Sequence, residues 1–340
     1  MADRKLRTVP SVVARGAIAP SCLIAQPVPI VVRIGADSPP VLALLRGGVS
    51  PRISVVERDS GRPLWTAADL PPAIQQFDAM RASFSGSFAV IDLDGDGVHD
   101  RIYAGDLAGR LWRFDLHHGA TADRWASGDI WADFSTVAGR GFVAPPDISL
   151  STSQDHEPWL SIAIGTAHTA DSAIANRFYV LRDREPFDVR SDADYARWQP
   201  LREADLLAIG RPGDQAGADI DKGYYFDLGA ADVLAPSLTV SGRATLALSS
   251  ATSGDDCQVA VTIASFDIDT AAPRDALQPP RSGASSGSSP APLVAPAGSG
   301  FVLRTNDPDR AVCTLGATHI AACDVDTRPV PLYWRREDAD

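Results

Sequence analysis

The chain has 340 residues, 45% of them hydrophobic, enough to bury a substantial core in one large unit or two smaller ones. Its 43 acidic against 31 basic residues leave a formal charge of -12, which argues against nucleic acid or an anionic membrane as main partner and favours cations. No run of about 18 uninterrupted apolar residues occurs, so neither a spanning helix nor membrane insertion is expected.

The first 32 residues include early basic side chains, but Pro10, Arg15, Pro20, Gln26, Pro27 and Pro29 interrupt any apolar core of an export signal, and no signal peptide is read there. Beyond them, short apolar runs bounded by Gly, Pro, Asp and Ser recur, the mark of many short strands. One plan repeats four times: RISVVERDSGRPLW (52–65), GRLWRFDLHHG (109–119), NRFYVLRDREPF (176–187) and VAVTIASFDIDTAAP (259–273). Each strand runs into an aspartate, Asp59, Asp115, Asp183 or Asp267, and then a turn. Aspartate suits that place because its carboxylate accepts from backbone N–H groups of the turn.

Running into the second copy is FAVIDLDGDGVHDRIYAGDLAGRLWRFDL (88–116), with Asp92, Asp94, Asp96 and Asp100 inside nine residues. Counted from Asp92, carboxylates fall at positions 1, 3, 5 and 9, glycines at 4 and 6, and Val98 at 7 offers a carbonyl. That is the first nine positions of an EF-hand-type calcium loop, and hard oxygen donors in this number suit Ca2+ better than magnesium. Gly95 and Gly97 permit the positive φ of the tight turn. Position 12 is Tyr103 instead of a bidentate glutamate, and strands flank the loop, so a strand–loop–strand calcium site is expected from Asp92, Asp94, Asp96, Val98 and Asp100. His99, at position 8, is expected to point outward into solvent.

Further on, FVAPPDISL (142–150) and VLAPSLTV (233–240) are copies of a second phrase, with TVPSVV (8–13) a weaker one. A strand opening on proline fits an inner strand beginning at a rim or channel mouth. Two phrases recurring at irregular intervals point to the blades of a β-propeller, with a sandwich as the alternative. A helix is expected within Ser191 to Gly210, in an interblade loop. Residues 271–300 are low in complexity and read as a flexible Pro/Ser/Gly-rich insertion. Propeller blades with the calcium loop at 92–100 therefore occupy 1–270, and closing strands of the propeller 301–340.

Cys313 and Cys323, ten residues apart, either bridge a hairpin or stay as buried thiols; the four cysteines have no zinc spacing. No GxSxG, HExxH or GxxxxGK[ST] is present, and GDLAGR (105–110) reads as a turn between strands. His117, His118 and His168 read as loop or strand-end histidines, and Trp65, Trp112 and Trp334 as packing residues. No enzyme activity and no catalytic residue is expected.

In order along nearly the whole chain, DLDGDGVHDRIYAGDLAGRLWRFDL, FVAPPDISL, IAIGTAHTADSAIANRFYVLRDREPF, GYYFDLG, VLAPSLTVSGR and LYWRRE resemble the C-terminal β-propeller domain of PilY-type type IV pilus biogenesis factors, also described as tip-associated adhesins. The resemblance implies a modified, seven-bladed propeller holding one calcium ion through Asp92, Asp94, Asp96, Val98 and Asp100. It implies roles in pilus biogenesis (opposing retraction), twitching motility and surface adhesion. The partners implied are pilus subunits or minor pilins and a host or abiotic surface, at the cell surface, the pilus tip or the periplasm. If fewer blades are present, another chain completes the ring. Two other readings stand beside it: a calcium-dependent quinoprotein-like propeller enzyme, and a calcium-stapled scaffold without a switch.

Overall fold

In the computed structural model, the described residues are 27–47, 52–67, 80–84, 88–136, 139–152, 157–169, 174–210, 220–233, 235–251 and 259–272, together with the backbone of four strands between 293 and 324. They form successive sheets of neighbouring strands. The first joins β1 (Val28–Val32), β2 (Val41–Arg46), β3 (Ser54–Glu57) and β4 (Pro63–Thr66); the second joins β5 (Phe88–Ile91), β6 (Arg101–Gly105), β7 (Arg110–Leu116) and β8 (Ala126–Asp133). A two-residue pair, β9 (Arg140–Gly141) with β12 (Ala167–His168), flanks the third sheet. That sheet contains β10 (Asp147–Thr152), β11 (Pro158–Gly165), β13 (Asn176–Asp183), β15 (Gly223–Gly229) and, parallel to β15, β14 (Leu207–Ile209). The fourth holds β16 (Leu238–Val240), β17 (Arg243–Ala251) and β18 (Val259–Asp267). The last is a meander of β19 (Leu293–Ala297), β20 (Gly300–Arg304), β21 (Val312–Leu315) and β22 (Ile320–Asp324).

Alternation along each strand sends side chains to two different cores. Ile102 and Ala104 pack with Ile30, Val55 and Trp65 of the first sheet, whereas Tyr103 between them packs with Leu160, Ile162 and Tyr179 of the third. Likewise Phe178 and Val180 meet Leu246 and Phe266 of the fourth sheet, while Tyr179 and Leu181 face the second. The second and third sheets are thus buried on both faces, which two layers of a sandwich cannot provide. Antiparallel sheets stacked face to face in chain order are the blades of a β-propeller. Among the described residues no strand of the last sheet pairs with the first.

A repeated contact joins consecutive blades. In the first three sheets the glycine ending or following the second strand lies against the segment entering the next blade: Gly47 against Phe84, Gly105 against Phe142, Gly165 against Val233. The Phe142 N–H donates to the Asp106 carbonyl at 2.9 Å, and Val233 repeats this with Thr166 at 3.1 Å. Phe142 and Val233 are the first residues of the two copies of the second phrase, which lead into the inner strands β10 and β16. Trp65 and Trp112 fill the core between the first two sheets, as expected from their strand positions.

Three expectations need correction. The helix foreseen over 191–210 is a single turn, α1 (Asp192–Tyr195), followed by a 3-10 turn at Glu203–Asp205 and β14; it connects strands of one sheet instead of two blades. Pro200 lacks the N–H a continuing helix needs, and Leu201 instead bonds β8 through the Trp131 carbonyl and the Asp133 N–H. Only two of the four strand-end aspartates serve their turns: Asp183 accepts from the Glu185 N–H and Asp267 from those of Asp269 and Thr270. Asp59 pairs with Arg58 on the surface, and Asp115 is drawn into a buried ionic cluster. The third concerns His99, below. Within the 271–300 segment, β19 pairs with β20, while residues 273–292 lie outside the described set, as do TVPSVV, His156 and Trp334.

Candidate metal centre

The acidic loop joins β5 to β6, whose pairing of Ile91 with Arg101 closes its base. Each carboxylate is fixed locally. Asp92 accepts from the N–H groups of Gly95 (2.7 Å) and Gly97 (2.9 Å), Asp94 from Asp96 (3.0 Å), and Asp96 from Val98 (2.7 Å). Gly95 and Gly97 take φ of +78° and +88° with open space around them, so it is backbone conformation that requires glycine there. Buried Asp100 accepts from the Leu93 N–H at 2.5 Å and from His118 Nε2 at 2.9 Å.

As a result, one oxygen from each of Asp92, Asp94 and Asp100 falls within 4.8 Å of the others. Asp96 turns its carboxylate to the Val98 N–H and stands outside that trio; Val98 buries its side chain beneath the loop. Three converging carboxylates offer a hard, all-oxygen donor set, which fits a calcium-sized cation.

His99 is not a solvated side chain. Its Nδ1 accepts from the Val31 N–H at 3.0 Å, and its own N–H donates to the Val31 carbonyl at 3.0 Å, so the loop is tied to β1 of the preceding blade. His118 was equally unmarked by sequence. The signal for it is the β6–β7 register, in which the Leu116 N–H donates to the Asp100 carbonyl and brings the following turn beside Asp100.

Behind this loop, between the second and third sheets, Arg101 and Arg113 meet Asp115 and Asp183 with all four side chains fully buried. The Tyr103 hydroxyl donates to Asp183 at 2.6 Å and the Tyr195 hydroxyl to Asp115 at 2.7 Å. Burial, helped by Asp183, pushes the Tyr103 hydroxyl far above its ordinary range, so it stays a donor. Two cations balance two anions here, which makes the cluster a rigid joint without open coordination. His168 forms a smaller polar joint, with Nδ1 2.7 Å from Asp232 and Nε2 2.9 Å from the Ile174 carbonyl. The hydrogen bond it donates to the Asp232 carboxylate raises its pKa.

No protein-family model matches the chain. A stretch of 40 residues is 50% identical to the type IV pilus biogenesis factor PilY1 homolog of Xylella fastidiosa, covering 12% of this chain and 3% of that protein. Among solved structures, the Pseudomonas aeruginosa PilY1 C-terminal domain aligns over 72% of this chain and 59% of its own, with 16% identity and a TM-score of 0.49. Quinohemoprotein alcohol dehydrogenase from Comamonas testosteroni aligns over 92% of this chain and 45% of its own, with 10% identity and a TM-score of 0.40.

Proposed function

We propose that this chain is a calcium-binding propeller module of a type IV pilus biogenesis factor, non-enzymatic and pilus-associated. Asp92, Asp94, Asp96, the Val98 carbonyl and Asp100 hold the ion, and His118 orients Asp100. The observation that carries the reading is the convergence of Asp92, Asp94 and Asp100 in a loop whose spacing and glycine conformations suit calcium. The local identity to a PilY1 homolog supplies the pilus context. In this reading the module acts in pilus assembly against retraction, in twitching motility and in adhesion, with pilus subunits or minor pilins and a surface as partners. Filling the loop neutralises its clustered charge and orders it, biasing a contact surface.

Calorimetric titration with calcium tests the site: saturable binding is expected for the unaltered chain and its loss for the Asp94→Ala/Asp96→Ala pair. Absence of binding by the unaltered chain removes the assignment. Normal piliation and twitching in cells carrying the pair removes the switch.

The pair of hydrogen bonds between His99 and Val31 favours a second reading, in which the ion only staples the second blade to the first. Calcium then raises Tm without altering piliation.

A further inference from the structure

The two copies of the proline phrase come together in space. Asp147 of the first copy accepts from the Thr239 hydroxyl of the second at 2.7 Å and from Ser237 at 3.4 Å. Beside them lies a cavity of about 460 Å³ at the inner edges of the second, third and fourth sheets, a size suited to a small ligand. Its walls are largely apolar, with Val90, Ile148, Leu150 and Leu160, while Asp147 and, from the loop, Asp92 supply charge. Leu150 is 58% exposed although it sits on a strand facing this space.

Among the described residues no basic side chain lines the cavity, and the side chains that donate to Asp147 are neutral hydroxyls, which satisfy hydrogen bonding without cancelling charge. Burial accordingly pushes its carboxyl up to about 6, against the pull of those hydroxyls. A divalent ion would need several oxygen donors at one point, and Asp147 does not belong to a carboxylate or histidine group of three among the described residues. A compact monovalent ammonium on an apolar stem answers both the charge and the walls.

We propose that this cavity binds a protonated primary amine, its ammonium on Asp147 and its stem against Val90, Ile148 and Leu150. The same chemistry comes from a free alkylamine or from a lysine side chain of a polypeptide.

Amide NMR shifts of the full chain on titration with n-hexylammonium, n-hexanol and the peptide acetyl-Gly-Lys-Gly-amide test it. Hexylammonium is expected to shift the amides of Val90, Ile148 and Ser237 saturably, with hexanol at least about 10-fold weaker. Asp147→Asn should reduce the amine to the level of the alcohol, while Asp94→Ala leaves it bound, which separates this site from the metal loop. Binding of the peptide as well assigns the site to lysine side chains; binding of hexylammonium alone assigns it to free amines. Equal binding of amine and alcohol by the unaltered chain, no saturable shift with either, or undiminished amine binding by Asp147→Asn overturns the proposal.

Discussion

Gly165 and Val233 approach so closely that a Cβ on the glycine would stand 2.3 Å from Val233 Cγ2. The same relation holds for Gly105 and Phe142, where the separation would be 2.5 Å. Spacing at these junctions is therefore set by a glycine hydrogen. Gly165→Ala should cost about 1–3 kcal/mol through overpacking, and a Gly165→Ala/Val233→Ala pair should regain part of it. Urea unfolding of the two variants checks this.

Removing one member of the buried ionic cluster leaves an uncompensated charge. Asp183→Ala leaves the buried Arg101 and Arg113 with Asp115 as their one carboxylate, takes the acceptor from the Tyr103 hydroxyl, and should cost about 3–5 kcal/mol. Tyr103→Phe, which removes one hydroxyl and no charge, should cost closer to 1 kcal/mol. Equal effects in denaturant unfolding would mean that charge balance is not what holds the joint.

His118 reaches Asp100 from outside the acidic loop. His118→Ala should weaken calcium binding about 10-fold or more while leaving stoichiometry unchanged, as loss of a ligand's supporting partner does. Calorimetry on that variant beside Asp100→Asn compares the supporting residue with the ligand itself.

The raised pKa of His168 makes the joint to Asp232 dependent on pH. A histidine whose pKa is higher folded than unfolded contributes fully below its unfolded value, about 6.5, and its contribution fades as pH rises through the folded value. The stability of the unaltered chain over His168→Gln should therefore be greatest near pH 5 and shrink toward pH 8, as measured by unfolding at each pH.

Asp147 behaves in the opposite sense to a salt-bridged carboxylate. Its folded pKa near 6 means that ionisation on raising the pH destabilises the fold. Asp147→Asn should thus gain stability relative to the unaltered chain above about pH 6. Thr239→Val, which removes a hydroxyl that holds the pKa down, should move the NMR midpoint of Asp147 higher still.

What could be read in advance was local. The spacing of Asp92, Asp94 and Asp100 expresses a turn in which alternate side chains converge, and the two proline phrases do begin inner strands. What could not be read depended on register or on distant packing. Asp115 looks like any strand-end aspartate until Arg101 lies opposite it across β6 and β7 and Tyr195 arrives from a separate segment. The stretch after Ser191 has helix-favouring residues, yet past α1 Pro200 interrupts it and buried Leu201 bonds β8, so tertiary pairing outweighed propensity. His99 was misjudged because its partner, Val31, is 68 residues away in another blade.

The hold of His99 on Val31 bears on solubility as well as on joining blades. Val31 directs its N–H and carbonyl away from β2, at what is, among the described residues, the margin of the first sheet, where an unmet backbone invites a strand from another molecule. By taking both groups with one ring nitrogen and one amide, His99 imitates a single residue of a neighbouring strand and ends the sheet there. The loop that gathers carboxylates thus also covers one backbone position of that margin.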